Sequence, residues 1–487
     1  MKFNANDQGV IHMSVEQSSI TIPNIRTPKN IVLITIIILS FVLAFYAKGL
    51  PIEEVGLIGL LPIFALALLT VIGLDIVLAV IIAIIISVIM TSTSVFELGG
   101  ILAKSTGSFI ATVGLIIMLG AGVGEVTNRT GAAKELVKFI VNKVGLSSIP
   151  RVKLGIMISS VVICGSLGTM AGGNAIIVAV IIPIAAAVGL TPPTVALLLM
   201  TAGSVGLFIG PFTPSTVTIL ELGGLTYPQY LSACAIPMSV VTLLTGWFMS
   251  VYIQKWTFGK YTYNENFLEP SEKIESASEL KRSKRAAIVF IGTIIVMAIL
   301  GIIFKAGFSF AIIVMLTVAT LTGLVAGFSP KQILEALYEG CGKLVWMFIL
   351  YWLYNPILVL VEKLNAYQTL LDNATPYLVD LSPAMLCFGI FLFNIVGHIP
   401  GAAVAQMTFT NKIFGPILLA NGVPPVAVTA VLLSSSQVDW FGPFPSSDMF
   451  GQMGLARSSQ LKYMLYGGWA IVIANILLFA VLFQILN

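Results

Sequence analysis

Residues 189–216 read GLTPPTVALLLMTAGSVGLFIGPFTPST, and residues 422–448 read GVPPVAVTAVLLSSSQVDWFGPFPSSD. Each stretch contains a Pro-Pro pair followed by a Gly-Pro-Phe motif. The second copy of both motifs follows the first by 232 residues, as from Gly210 to Gly442. Two motifs that recur at one offset indicate an internal repeat, and hence a fold built from two similar units.

The composition of the chain is that of a membrane protein. Of its 487 residues, 57% are hydrophobic and only 9% are charged, whereas soluble domains are about 25% charged. Mean hydropathy is +1.02. Apolar stretches of the roughly 20 residues that cross a bilayer recur from residue 31 to the C-terminus. The sequence therefore predicts an all-α integral membrane protein of the cell (cytoplasmic) membrane.

Several classes of function can be excluded. The formal net charge of +4 is small, so we expect no nucleic acid partner. The four cysteines lack a CxxC spacing and the chain has only two histidines, so no metal site is expected. The sequence lacks the Gly-x-x-x-x-Gly-Lys-Ser/Thr phosphate loop that an ATP-driven pump would need. We expect neither an enzyme nor a cofactor, apart from a coupling ion, H⁺ or Na⁺.

Two apolar segments, 155–190 and 384–420, are interrupted by glycine and proline at matching places. Gly168 of the first recurs as Gly401 in the second, 233 residues later. Such residues are tolerated at membrane depth where a helix unwinds beside a cavity. We therefore predict that each segment is a discontinuous helix that crosses the membrane once.

The repeated stretches 194–221 and 425–452 carry polar residues around their Gly-Pro-Phe motifs. We predict that each is a re-entrant hairpin that enters and leaves on one face. The prediction is then about 11 spans plus two hairpins. The expected hinge residues are Gly168, Gly172, Gly173, Gly210, Pro211, Gly401, Gly442 and Pro443.

Loop charges predict the orientation, because Lys and Arg collect on the cytoplasmic side. With a cytoplasmic N-terminus, the basic residues of 134–153 and 281–285 fall inside and the acidic connection 362–380 falls outside. The repeats are then inverted relative to each other, and the C-terminus lies outside. The predicted divisions are a tail (1–30), an extra span (31–50), the first repeat (51–254), a cytoplasmic linker (255–285) and the second repeat (286–487).

Inverted repeats with interrupted helices are typical of secondary transporters, whose substrate and ion sites lie between the halves at mid-membrane. Helix N-termini at the interruptions attract anions, and hydroxyl or carbonyl oxygens coordinate small cations. Structural hydrogen bonding is the alternative for any single Ser or Thr. The predicted substrate-binding residues are Ser166, Thr169, Asn174, Thr213, Ser215, Thr216, Gln406, Ser446 and Ser447.

Four residues are predicted to couple transport to an ion: Asp439, Asp448, His398 and Ser436. A carboxylate within a membrane segment is costly and is a functional candidate by default. The alternatives are that Asp439 caps a helix turn at a hydrated tip and that His398 is a hydrogen-bonded structural residue.

The broken segments and the proline-rich tips 210–216 and 442–448 together resemble the ion transporter superfamily. This group includes gluconate permeases, carboxylate carriers and sodium/proton antiporters. The resemblance implies a homodimer in which a scaffold holds a moving, elevator-type transport domain.

The sequence thus predicts a secondary active transporter of a small organic anion, a monocarboxylate or dicarboxylate, driven by a proton or sodium gradient. A sodium/proton antiporter, with Asp439 and Asp448 as its exchanging groups, is the first alternative. An amino-acid permease of the same fold is the second.

Overall fold

A computed structural model of the chain describes residues 28–145, 148–263, 276–378, 381–396, 403–442 and 444–487. Every regular element within these ranges is a helix. Three predicted site residues, His398, Gly401 and Pro443, lie outside the described residues, as do most of the N-terminal tail and part of the linker.

The helices of the first half precede the linker. They are α1 (Pro28–Lys48), α2 (Ile52–Val55), α3 (Leu61–Ile72), α4 (Ile76–Thr91), α5 (Val95–Ser105), α6 (Phe109–Arg129), α7 (Ala132–Val144), α8 (Ile149–Leu167), α9 (Met170–Ala187), α10 (Pro192–Ile209), α11 (Pro214–Gly223), α12 (Tyr227–Tyr230) and α13 (Ile236–Thr257).

The helices of the second half follow in a similar order. They are α14 (Ala277–Ile303), α15 (Phe310–Val325), α16 (Pro330–Lys363), α17 (Ala366–Leu378), α18 (Pro383–Val396), α19 (Ala403–Ala420), α20 (Pro425–Phe441), α21 (Ser447–Leu455) and α22 (Leu461–Leu486).

The predicted all-α membrane fold is confirmed. Ten described helices are long and apolar enough to cross a bilayer, close to the number of spans predicted. The predicted and the observed numbers do not count the same segments. Two apolar helices that pair with neighbours in the bundle, α4 and α15, have only 16 residues each, whereas α8 and α9 are both long enough to be counted.

Segment 155–190 is a helical hairpin rather than a single interrupted helix. The Ser160 hydroxyl donates to Oδ1 of Asn174 at 2.6 Å, although the two residues are 14 positions apart. Along one helix that separation would be about 21 Å, so α8 and α9 must lie side by side. The chain reverses at Gly168, whose φ of +69° favours glycine. We call this pair the first hairpin.

The second half repeats this arrangement in α18 and α19, the second hairpin. Here the Thr410 hydroxyl donates to Oδ1 of Asn394 at 2.9 Å, across 16 positions. The sequence-based assignment of discontinuous helices to 155–190 and 384–420 is therefore wrong. Glycine and proline mark a chain reversal in these segments.

The stretch 194–221, predicted to be a hairpin, is instead a discontinuous helix. The unbroken run Tyr227–Thr257 has 31 residues, about 46 Å, and at its end Thr257 is 2.7 Å from Thr191 at the start of α10. Only three residues separate α11 from Tyr227. The end of α11 therefore lies at the face opposite Thr191, and α10 and α11 together cross the layer. We call residues 210–213 the first break.

The stretch 425–452 is the second discontinuous helix. Its partner α22 runs antiparallel to α20: Asn475 donates to Gln437 at 2.9 Å, and Gly468 abuts the carbonyl of Phe441. The first residues of α22 thus extend beyond the end of α20, alongside α21. Two discontinuous helices and two hairpins are present as predicted, but the segments are exchanged. We call residues 442 and 444–446 the second break.

The two discontinuous helices run in opposite directions. Tyr263, just after α13, donates to the carbonyl of Ala456 at the end of α21 at 3.1 Å. Gly223, at the end of α11, abuts Thr429 in the first turns of α20. One helix therefore begins on the face where the other ends.

Contacts between the halves are reciprocal. Helix α11 packs on α19 and α20, and α21 packs on α9 and α10. Outside this bundle, α6 and α16 pack closely, because Gly340 abuts the carbonyl of Ala121. Ion pairs from Glu125 to Lys343 (2.6 Å) and from Arg129 to Glu339 join the same two helices.

Candidate functional site

The tip of the first hairpin touches the first break. A Cβ on Gly168 would lie 3.3 Å from Cδ of Pro214 and 3.7 Å from Cα of Thr213. Gly210 at the break abuts the carbonyl of Gly165 near the hairpin tip. The first break therefore packs against the tip of the first hairpin, and the second break has a similar place beside the second hairpin.

Asp439 lies in the last turn of α20 and is only 7% exposed. Its Oδ2 accepts a hydrogen bond from the backbone N–H of Ala403, the first residue of α19, at 3.2 Å. The partial positive charge at a helix N-terminus stabilises a carboxylate. Asp439 thus caps the returning helix of the second hairpin, a contact between elements 36 positions apart that the sequence could not reveal.

Asp448 lies in the first turn of α21, beyond the second break, and is half-buried. It is within electrostatic range of Asp439 and of Cys164 in the first hairpin. The structure therefore brings together two of the four residues predicted to couple an ion, and places them against elements of both halves.

Helix α16 adds two tyrosines that the sequence analysis missed. Tyr351 is within electrostatic range of both Asp439 and Asp448, and Tyr354 is within range of Asp439. The Tyr354 hydroxyl is buried and has no hydrogen-bond partner among the described residues. Tyrosines in membrane helices usually collect at the two membrane interfaces. The position of these two within the apolar part of the helix was therefore the signal in the sequence that could have identified them.

Asn174, a predicted substrate ligand, is fully buried and bonded to protein groups. Its amide donates to the Leu199 carbonyl at 3.0 Å and to Oε1 of Gln452 at 2.7 Å. Its Oδ1 accepts from Ser160 and Cys164. Asn174 therefore joins the first hairpin to α10 and to α21 of the other half.

Gln406 has a comparable position in the second hairpin. It is 3% exposed and donates to Oδ1 of Asn394, which also accepts from Thr410. This amide cluster binds α18 to α19 as the Asn174 cluster binds α8 to α9.

The first break is closed by its own side chains. Thr213, fully buried, donates to the carbonyl of Leu207 and accepts from the N–H of Thr216 at 3.3 Å. The next two carbonyls at the end of α10 accept from Tyr230 (2.6 Å) and Tyr227. The predicted ligands Thr213 and Thr216 thus stabilise the turn, and Ser215 beside them is buried.

The remaining predicted polar residues occupy varied positions. Ser166 is half-buried at the end of α8, and Ser447 is exposed at the second break. Thr169 caps α9 and Ser446 caps α21 through bonds to backbone N–H groups at 3.4 and 3.2 Å. The Ser436 hydroxyl donates to the carbonyl of Leu433 in its own helix at 2.8 Å.

The predicted hinge residues fall into two groups. Gly168 and Gly442 have positive φ, +69° and +83°, and Gly210 and Pro211 lie in the first break. Gly172 and Gly173 lie within helix α9, where a Cβ on Gly173 would be 2.7 Å from Sγ of Cys164. This last pair lies in a regular helix that packs closely against α8, and its hinge role stays a prediction.

Comparison with known proteins gives a family match over most of the chain. A family described as "DcuC: C4-dicarboxylate anaerobic carrier" matches residues 31–449. No curated protein sequence matches the chain significantly.

Among solved structures, the fold is similar to that of the Alcanivorax borkumensis YdaH transporter, described as having an unusual topology. The two chains are 14% identical, the alignment covers 80% of this chain and 86% of the other, and the TM-score is 0.54. At this identity the similarity concerns the fold alone.

Proposed function

The chain belongs to the C4-dicarboxylate anaerobic carrier family, and from this premise we propose that it is a secondary active transporter of C4-dicarboxylates. It is a membrane carrier and not an enzyme. The sequence left the organic anion open between monocarboxylate and dicarboxylate, and the family match favours the latter. The observation that carries the proposal is the position of Asp439, which is bonded to the start of α19 and within electrostatic range of Asp448, itself within range of Cys164 in the first half.

The sequence left the coupling ion open between H⁺ and Na⁺, and we propose that it is a proton. Asp439 and Asp448 are within electrostatic range of each other, and repulsion between two such carboxylates favours protonation of one of them. A sodium/proton antiporter would use the same pair without an organic substrate. The family match favours the carrier over that alternative and over an amino-acid permease.

We propose alternating access between two inverted halves. The opposite directions of the two discontinuous helices support this, since inverted halves provide two related conformations. Tight packing of α6 on α16 supports a scaffold role for that pair. An elevator movement of the hairpins against this scaffold, within a homodimer, completes the proposal.

Uptake by proteoliposomes tests the function. Labelled fumarate should accumulate when an inward proton gradient is imposed, and an equal sodium gradient should have no such effect. A labelled neutral amino acid serves as the control substrate. Dissipation of a pH gradient by sodium, without fumarate uptake, would favour the antiporter.

Orientation is tested by labelling single cysteines in a background that lacks the native ones. Cysteines at Ser278 and Arg457 should react from the cytoplasm, and one at Asp372 from outside. Labelling of Ser278 and Arg457 from opposite sides would exclude the inverted arrangement in the cell membrane.

A further inference from the structure

Asp439 occupies a place suited to a ligand carboxylate. Its Oδ2 accepts from the backbone N–H of Ala403 at the start of α19, and such helix termini bind anions through N–H groups and partial positive charge. A transported dicarboxylate carries the same functional group as the Asp439 side chain.

A second, independent feature points to the same place. The Tyr354 hydroxyl is buried, lacks a hydrogen-bond partner among the described residues, and is within electrostatic range of Asp439. Its ring packs edge-on against Phe409 of α19 at 5.9 Å between centroids. An unpaired buried donor is costly, and a carboxylate is the acceptor that best satisfies it.

We propose that Asp439 occupies the site of a substrate carboxylate in this conformation, and that protonation of Asp439 releases the N–H of Ala403 to the substrate, whose carboxylate also accepts from the Tyr354 hydroxyl. This inference rests on the proposed function. Substrate and proton then enter together because the substrate carboxylate replaces the charge that protonation removes. Asp439 therefore competes with the substrate carboxylate for the N–H of Ala403. This competition couples substrate binding to the uptake of a proton.

The surrounding charges are consistent with such a switch. The described titratable groups within electrostatic range of Asp439 include Asp448 from α21 and the two tyrosines of α16, Tyr351 and Tyr354. The cation on α19, Lys412, is paired with Glu362 at 2.7 Å. A second carboxylate nearby makes simultaneous ionisation of both aspartates and binding of a dianion unfavourable.

The test is equilibrium binding of labelled fumarate to the purified protein over a series from mildly acidic to alkaline pH. For the wild type, binding takes up one proton, so Kd should rise by up to about tenfold per pH unit on the alkaline side. Asp439→Asn mimics the protonated side chain. Its Kd should stay constant with pH, close to the lowest wild-type value.

Variants of Tyr354 test the contribution of its hydroxyl to substrate binding. Tyr354→Phe should weaken fumarate binding about tenfold or more, as loss of a hydrogen bond to a charged group predicts, and should keep the wild-type pH slope. Tyr367→Phe is the matched control, because its hydroxyl is also buried without a described partner but lies on α17. Equal losses in both variants would assign the effect to packing and overturn the role of Tyr354.

The outcomes separate this inference from the function on which it rests. If the wild type binds no fumarate at any pH, the proposed function fails. If the wild type binds fumarate but Asp439→Asn binds it more weakly and with an unchanged pH slope, only the competition fails. A weaker but pH-independent Asp439→Asn protein would also overturn the competition, because removal of a competitor must not weaken binding.

Discussion

The two breaks occupy corresponding positions in the repeat and differ in chemistry. The position of Leu207 in the first corresponds to that of Asp439 in the second, and Thr216 corresponds to Asp448, each pair 232 residues apart. At the first break the last three carbonyls of α10, those of Leu207, Phe208 and Ile209, accept hydrogen bonds from Thr213 and from the two tyrosines that follow. At the second, Asp439 and Asp448 are within electrostatic range of each other and Ser447 is exposed.

The difference shows that one backbone arrangement serves two purposes. The neutral first break supplies a closed joint that holds α11 against the second half. In the proposed mechanism, the charged second break supplies the groups that change their protonation with the proton gradient. Symmetry of the fold therefore does not require symmetry of the site, and variants at corresponding positions should have effects of different kinds.

The largest expected effect is at Asp439. Asp439→Asn should abolish proton-driven accumulation of fumarate in proteoliposomes while exchange of internal for external fumarate continues, because the amide cannot release a proton. Glu221→Gln, which neutralises an exposed carboxylate on α11, is the control and should accumulate substrate normally. Normal accumulation by Asp439→Asn would show that the charge at the second break is not needed for coupling to the proton gradient.

A stability effect is expected at the first break. Thr213→Val removes the hydroxyl that donates to Leu207 and caps α11, so the free energy of unfolding should fall by about 1–3 kcal/mol. The apparent KM for fumarate should not change, and Ser215→Ala in the same turn should have little effect on either quantity. Thermal unfolding in detergent and uptake kinetics measure the two. A raised KM at unchanged stability would place the first break in the substrate site.

A smaller effect is expected for the bond that joins the halves. A double-mutant cycle on Asn174→Leu and Gln452→Leu should give a coupling of about 1 kcal/mol in stability, typical of interhelical hydrogen bonds in membranes. Thermal unfolding of the four proteins provides the measurement. Strict additivity of the two changes would show that this bond contributes nothing to the contact between halves.

The smallest effect is expected at the exposed tip of the second break. Ser447→Ala should raise the apparent KM for fumarate about twofold to fivefold, the weaker range for one hydrogen bond, with normal thermal stability. Thr216→Ala, next to the position that corresponds to Ser447 in the first break, should alter stability and leave KM unchanged. The reverse pattern would interchange the roles of the two breaks.

Composition was sufficient to predict the all-α membrane class, and the repeat was sufficient to predict two discontinuous helices and two hairpins. The coupling roles of Asp439 and Asp448 stay predictions. The sequence could not distinguish a hairpin from a discontinuous helix, because glycine and proline at membrane depth are needed in both. Only contacts between distant residues, such as Thr191 with Thr257, separate the two. The sequence could not show the hydrogen bond of Asn174 either, since its partner Gln452 lies 278 positions away.

Tyr354 illustrates a related limit. It lies on α16, far in sequence from both breaks, and only tertiary packing brings it near Asp439. Chemistry local to a motif was predictable, whereas the groups that a scaffold helix contributes were not.

The bond between Asn174 and Gln452 also has a consequence for synthesis. At about 5–20 residues per second, the 278 residues between them take about 14–56 s to be made. Throughout that interval one amide hydrogen of Asn174 is in the membrane without its final partner, a costly state in a medium that lacks water. The first half must therefore wait in a provisional arrangement, and its native packing becomes complete only when α21 has been inserted.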